Sequence, residues 1–284
     1  VLLVPYEALL RVQSTEASYA WGEFDVMLYA LGLGLGQAPL NRDRLHFVYE
    51  EGLRVVPSFA TVIAWGALPP VAQMGIDYTQ VVQGDQGIVL HRPLPRQGRV
   101  SAVGRVTGAV DKGAKGAIVF RETVLRDEAD GSPLATLTSS LFARADGGFG
   151  GPATGGATPH AHPDRKPDLR LTYTTRPEQA LIYRLSGDRN PLHADPAVAA
   201  RAGFPRPILH GLCTYGITCA AVLEAYLDGD GDGLAEHHAR FSAPVFPGET
   251  IAVDLWRDGK IVSFEAMAVE RDVTILRNGR AVLR

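Results

Sequence analysis

The densest run of chemically capable side chains lies between Tyr183 and Gly216, in the stretch YRLSGDRNPLHADPAVAARAGFPRPILHGLCTYG. Asp188, Asn190 and His193 fall within six residues, directly after Ser186-Gly187 and on either side of Pro191. Gly187 and Pro191 exclude a regular helix here, so these polar groups are expected on a turn at a helix end. A carboxylate beside an imidazole can offer one small reactant both a proton acceptor and a proton donor. Asn190 is placed to orient either group, or a water between them. His210-Gly211 then opens a long apolar run, where free backbone N–H groups and the positive end of a helix dipole collect. A carbonyl lodged at that helix start would have its developing negative charge stabilised. The same residues also have a purely structural reading. Asp188 and Asn190 suit turn and cap positions, and His193 suits a hydrogen-bonded place in a core.

Groups on turns need a scaffold to hold them, and the hydrophobic pattern describes one. Residues 22–33 carry apolar side chains at helical spacing, and β-like runs follow at 76–82, 87–91, 99–110, 116–125 and 134–142. Residues 146–168, DGGFGGPATGGATPHAHPDRKPD, are nearly free of large aliphatics and dense in Gly, Pro and Thr, the composition of a flexible linker. Beyond them come a short strand at 169–174, a short helix at 177–185 and a long apolar helix at 211–227. Strands at 237–243, 250–258, 261–270 and 273–280 complete the chain, with Asp258-Gly259 and Asn278-Gly279 as expected tight turns. The chain therefore divides into residues 1–145, a linker 146–168 and residues 169–284, each half a helix followed by an antiparallel meander. The fold class is α+β.

Composition closes off several function classes. The chain has 284 residues, 46% hydrophobic and 21% charged, with 28 Lys and Arg against 31 Asp and Glu. A net charge of −3 supplies no electrostatic footprint for nucleic acid or an anionic membrane. Two cysteines, Cys213 and Cys219, exclude a disulfide framework and suit a reducing compartment, so a cytoplasmic protein is expected. Asp228-Gly229-Asp230-Gly231-Asp232-Gly233 opens like a calcium loop, but Ala239 stands where that loop needs its bidentate Glu. Gly32, Gly34 and Gly36 lack the spacing of a dinucleotide fingerprint, and His160 and His162 have no partners at zinc spacing. Cys213 reads as a small core residue.

The catalytic-looking stretch resembles the signature of the MaoC-like, (R)-specific enoyl-CoA hydratase (hydratase 2) family. The resemblance lies in S-G-D-x-N-P-L-H-x-D-P followed by A-G-F-x-x-P-I-L-H-G-L-C-T-Y-G. It extends to Leu28-Tyr29-Ala30-Leu31-Gly32-Leu33-Gly34, to the strand-like Phe47-Val48-Tyr49-Glu50 and to Val56-Pro57-Ser58-Phe59. Gly84-Asp85-Gln86, Arg92-Pro93-Leu94-Pro95 and the run from Arg240 to Thr250 continue it. Most of the chain is similar to the two-domain form, a double hot dog in which each half wraps an antiparallel sheet around a long central helix.

The resemblance implies reversible hydration of a trans-2-enoyl-CoA to a (3R)-3-hydroxyacyl-CoA. On it, Asp188 and His193 hold the water and exchange protons with it, Asn190 assists, and the Gly211 N–H binds the thioester oxygen. Gln83, Gly84, Lys112, Arg189 and Phe241 fall where the family contacts the CoA thioester. The family usually has His-Gly-Glu where this chain has Gln83-Gly84-Asp85, which changes the contacting side chain at position 83. Nothing before the linker resembles Asp-x-Asn-Pro-x-His, so the N-terminal half is expected to shape an acyl tunnel rather than a second active site. No metal and no cofactor beyond the CoA of the substrate are expected, and the family implies a homodimer. A hot-dog thioesterase and a non-catalytic acyl-CoA-binding protein are the alternative functions.

Overall fold

The computed structural model describes residues 4–38, 40–77 and 80–284. Ten strands form one antiparallel sheet: β1 (Ala17–Trp21), β2 (Val81–Leu90), β3 (Gly98–Asp111), β4 (Ala117–Asp127), β5 (Pro133–Ala143), β6 (Leu169–Thr174), β7 (Leu234–Phe241), β8 (Thr250–Asp258), β9 (Ile261–Ala268) and β10 (Val273–Leu283). Their order across the sheet is β1-β3-β4-β5-β2-β7-β10-β9-β8-β6. Outward from the seam, the first half reads β2, β5, β4, β3, β1 and the second reads β7, β10, β9, β8, β6. Adding five to each label of the first half gives the second, so the two halves share one topology. The seam is an antiparallel pairing of β2 with β7, with Asp85 opposite Arg240 and Ile88 opposite His237.

Four helices matter to the site: α1 (Glu23–Gly32), α2 (Gln179–Tyr183), α3 (Pro196–Arg201) and α4 (Gly211–Tyr226). Every α4 residue from Leu212 to Val222, and Leu223 after them, is buried. A helix apolar all round needs cover on all sides. It receives that cover from β2 and the second-half strands on one side and from Pro57–Phe59 of the first half on another. Tyr215 at the middle of α4 donates to the His237 carbonyl of β7 at 2.6 Å, which ties helix to sheet. In the first half the helical cover is broken into Pro57–Phe59, Ala60–Ile63 and Trp65–Ala67, while α1 packs on α2 of the other half.

The structure differs from the sequence pattern in several places. Of the two expected strands at 76–82 and 87–91, residues 81–82 and 87–90 fall in one strand, β2, irregular between Gln83 and Asp85, while residues 78–79 lie outside the described residues. Phe47–Glu50 is turn and bend rather than strand, and β1 was not legible at all in the hydrophobic pattern. Asn278-Gly279 is no hairpin: it is a bulge inside β10, where the pairing with both β7 and β9 shifts register and Asn278 takes a left-handed φ of 57°.

The Gly/Pro-rich segment, free of helix and strand, is pinned along its length. The Asp111 carboxylate accepts the N–H groups of Gly148 and Gly150, and Asp111 N donates to Pro152 O at 2.8 Å. His160 bonds Ser263 Oγ at 2.8 Å, His162 stacks on Trp256 at 4.9 Å, and Trp256 Nε1 donates to Arg165 O. Leu255 and Phe264 belong to the core, so their neighbours Trp256 and Ser263 face the other way, and the segment straps the outer face of the sheet. Its glycines and prolines suit a chain lying flat on a surface as well as a flexible one.

The bulge and the strap meet at Asn278, whose Nδ2 donates to His160 O at 2.7 Å. Asn278→Val, which forces a β-branched residue into the left-handed region and removes that bond, is expected to cost about 2–4 kcal/mol in urea unfolding. Asn278→Gly keeps the backbone and should cost about 1 kcal/mol. Equal losses for the two would show that the backbone conformation is not the constraint.

Candidate functional site

Gly187 ends the short helical segment Arg184–Ser186 with φ of 134°, a conformation that L side chains rarely adopt. The chain turns there and presents Asp188. The Asp188 Oδ1 accepts the Asn190 N–H at 3.1 Å, and Asn190 Oδ1 in turn caps the single turn Pro191–His193 by accepting Leu192 N at 3.0 Å. The turn aims the buried His193 imidazole inward. Its Nδ1 lies 2.8 Å from the Ile208 carbonyl, an acceptor only, so that nitrogen carries the proton and Nε2 keeps a lone pair. The structural and chemical readings of Asp188 and Asn190 therefore hold together. Backbone bonds to these side chains set the loop that carries the pair.

His210, at the other end of the segment, completes the cluster. Its Nε2–H donates to the Asp188 backbone carbonyl at 3.1 Å, and its ring stacks on His193 with centroids 3.8 Å apart at 28°. Oxygen or nitrogen atoms of Asp188, His193 and His210 all lie within 4.8 Å of one another. That set does not fit a metal ion. A metal must lie near the plane of each imidazole that binds it, and two stacked rings have no common in-plane point at about 2 Å from both.

Burial is the main influence on both imidazoles. It lowers the pKa of His193, against the opposing pull of the Ile208 carbonyl and the Asp188 charge. It takes His210 down to about 3, assisted by His193 and by the Arg184 charge. Both rings are neutral at pH 7. Arg184 also donates to Arg189 O at 3.2 Å, which ties down the back of the Asp188 turn.

The Gly211 N–H heads α4 with no backbone or side-chain acceptor among the described residues. A Cβ on Gly211 would lie 3.1 Å from the Phe241 ring, so the aromatic face closes directly over the helix start. The seam pairing ends at Asp85–Arg240, and Gly84 on β2 and Phe241 on β7 follow directly beyond that pair. Gln83 Nε2 donates to Gln86 Oε1 at 3.1 Å, and Asp85 accepts Ser140 Oγ at 2.6 Å.

The structure thus gathers Asp188, His193, Asn190 and Gly211 at one place, with Phe241, Gly84 and Gln83 alongside. Arg189 is exposed on the same turn. Lys112 is not part of the cluster. It is exposed on the turn between β3 and β4 at the same end of the sheet, three to four strand spacings from β7 and so roughly 14–19 Å across, with Nζ 3.4 Å from Ala153 O. Cys213 is fully buried, its thiol pushed up to about 12, with Sγ 3.4 Å from Gly32 O, which is the core role expected of it. Asp230 caps the turn Gly231–Gly233 by accepting Asp232 N, which gives the calcium-like run a structural role.

Two neighbours of the site were not singled out from the sequence. Tyr183 is buried with its ring 5.0 Å from that of His210. Trp65 of the first half lies against Gly187, 3.3 Å from where a Cβ would be. Tyr183 stands at the head of the conspicuous segment, whereas nothing in the local pattern around Trp65 points to residue 187.

Comparison with known proteins gives two family matches: residues 19–145 match the MFE-2 hydratase 2 N-terminal domain and residues 159–278 the MaoC like domain. The chain is 41% identical to an enoyl-CoA hydratase of Mycobacterium tuberculosis over 97% of each chain. It is 37% identical to the peroxisomal enoyl-CoA hydratase 2 of Arabidopsis thaliana, covering 95% of this chain and 93% of that one. Among solved structures, a MaoC-like dehydratase from Phytophthora capsici superposes with a TM-score of 0.87 at 30% identity, covering 98% of each chain.

Neutral buried histidines make stability pH-dependent. His210 and His237 are both lowered to about 3, His237 by burial first and the neighbouring His238 second. Between those values and the unfolded value near 6.5 the unfolded chain binds more protons, so stability is full above about pH 6.5 and falls as the pH drops. Urea unfolding between about pH 6 and 4.5 should lose up to about 2.7 kcal/mol per pH unit from the two groups. A flat profile over that range would contradict neutral burial of these rings.

Proposed function

The chain belongs to the MaoC-like dehydratases in their two-domain hydratase 2 form, and from that premise we propose that it is an (R)-specific 2-enoyl-CoA hydratase. It is a hydro-lyase of acyl-CoA metabolism that reversibly adds water to a trans-2-enoyl-CoA to give the (3R)-3-hydroxyacyl-CoA. The observation that carries the reading is the Asp188–His193 pair standing beside the open N-terminus of α4.

Water donates to the Asp188 carboxylate and to the His193 Nε2 lone pair. As its oxygen bonds to C3, one of its protons passes to the pair and the π electrons move toward C2 and the thioester oxygen. The Gly211 N–H and the α4 dipole stabilise that oxygen. The pair then returns a proton to C2 on the same face, so the net addition is syn and every atom of one water is accounted for. Neutral His193 suits this role, because a protonated imidazole has no lone pair to accept from water. Asn190 acts on the reaction through the turn it caps.

Gln83, Gly84, Phe241 and Arg189 contact the CoA thioester around the helix start. Lys112 meets the phosphates, at a distance from the reacting carbons that a long pantetheine arm can span. Residues 1–145 shape the acyl tunnel, residues 146–168 join the halves, and residues 169–284 carry the reaction. The reaction needs no metal and no cofactor beyond the CoA of the substrate. A homodimer in the cytoplasm is the working assembly. Two buried free thiols support a reducing compartment, and among the described residues no helix is long and apolar enough to cross a membrane.

The test follows the absorbance of the conjugated enoyl thioester while free thiol is assayed in parallel. Loss of absorbance without thiol release is expected; release of CoA would identify a thioesterase, and silence in both channels a binding protein. Asp188→Asn should lower kcat by about 10²- to 10⁴-fold with substrate affinity largely kept. Parental turnover in that variant would remove Asp188 from the proton path.

A further inference from the structure

Resting on the hydratase reading, we propose that His210 is a positioning residue that holds Asp188 and His193 in register for the attacking water. Asp188 and His193 sit on one loop, and that loop is attached to the start of α4 chiefly through His210. The Nε2–H of His210 donates to the Asp188 carbonyl at 3.1 Å, across 22 residues of sequence. Its ring lies flat against the His193 imidazole at 3.8 Å, and the Tyr183 ring packs against it at 5.0 Å. With 1% of its surface exposed, His210 has no room to swing away.

The need for such a brace follows from the loop itself. Gly187, at φ of 134°, gives the peptide before Asp188 a freedom that other residues lack. The Asp188 side chain is bonded to the next turn at Asn190 N, so carboxylate and backbone move together. His193 is fixed by one hydrogen bond, to Ile208 O, about which an imidazole can still tilt. His210 removes both freedoms: its N–H fixes the height of the Asp188 peptide, and its face fixes the plane of the His193 ring. His210 stays neutral among Asp188, His193 and Arg184, so no second cation is placed against the ring that exchanges protons. It also directly precedes Gly211, so one residue sets the pair relative to the oxyanion donor. A shift of about 1 Å in such a constellation costs on the order of 10²-fold in rate.

The experiment compares His210→Gln with His210→Asn in the full chain, each checked for parental circular dichroism and melting temperature. Both introduce the same amide, but only Gln reaches as far as the imidazole Nε2. With trans-2-enoyl-CoA as substrate, His210→Asn should lower kcat by about 10- to 100-fold while KM changes less than about threefold, and His210→Gln should recover much of the loss. Parental kcat in both folded variants, or equal losses in both, would overturn the hydrogen bond as the positioning link. A loss explained entirely by the fraction of unfolded protein would do the same. The parent assay separates the two ideas: an active parent with unaffected His210 variants sinks this inference alone, whereas a parent without hydratase activity sinks the hydratase reading and the inference with it.

Discussion

Burial of α4 on all sides is the constraint from which the rest of the structure follows. A helix with apolar side chains around its whole circumference cannot lie on a flat sheet with one face in water. The strands therefore curve around it, Tyr215 donates to the His237 carbonyl of β7, and the Thr218 hydroxyl, which donates to Tyr215 O, lies 3.1 Å from His237 Nε2. His237 itself is stacked on Phe264 at 4.6 Å, a core histidine in the plain sense. Both ends of α4 lie outside this envelope, Gly211 at its start and Glu224–Tyr226 at its end. At its start the Gly211 N–H has no acceptor among the described residues, and the loop that carries Asp188 and His193 is gathered there.

The duplicated topology joins the two halves into one sheet and lets segments of the first half pack against the second. Each half repeats the same strand order, and the seam between β2 and β7 makes a single sheet of the two. The first half keeps only short helical pieces against its strands. It sends Tyr29 and Leu33 against Gly216 of α4 and Trp65 against Gly187 at the reactive turn. The strap on the outer face holds the two halves of the sheet from the opposite side, and its anchors, Asp111 and Asn278, lie one in each half.

On the proposed function, the same side chains both cap a turn and react. Asp188 accepts from Asn190 N with Oδ1, and Asn190 spends its carbonyl on the turn that aims His193. Hydrogen bonds that would otherwise only terminate a helix here fix a carboxylate and an imidazole within reach of each other. Desolvation keeps the imidazole neutral, against the pull of Ile208 O, and the hydrogen bond from Nδ1 to that carbonyl selects its tautomer.

The sequence by itself determined the α+β class, the extent of α4, most strands to within a few residues, and the closeness in the chain of Asp188, Asn190 and His193. These are local matters: periodicity, turn chemistry and residue types close together in the chain. Tertiary structure decided what local pattern cannot carry. Asn278-Gly279 has the composition of a hairpin turn, yet pairing with strands on both sides makes it a bulge. The segment 146–168 has linker composition, yet the outer face of the sheet offers it Ser263, Trp256 and Asn278 to bind. Lys112 lies three to four strand spacings from β7, a distance no spacing in the chain reveals. Trp65 meets Gly187, and His210 reaches back over 22 residues to the Asp188 carbonyl, because the chain closes on itself around α4. Those contacts arise from how far-apart segments share one core, and they are absent from the pattern of any one of them.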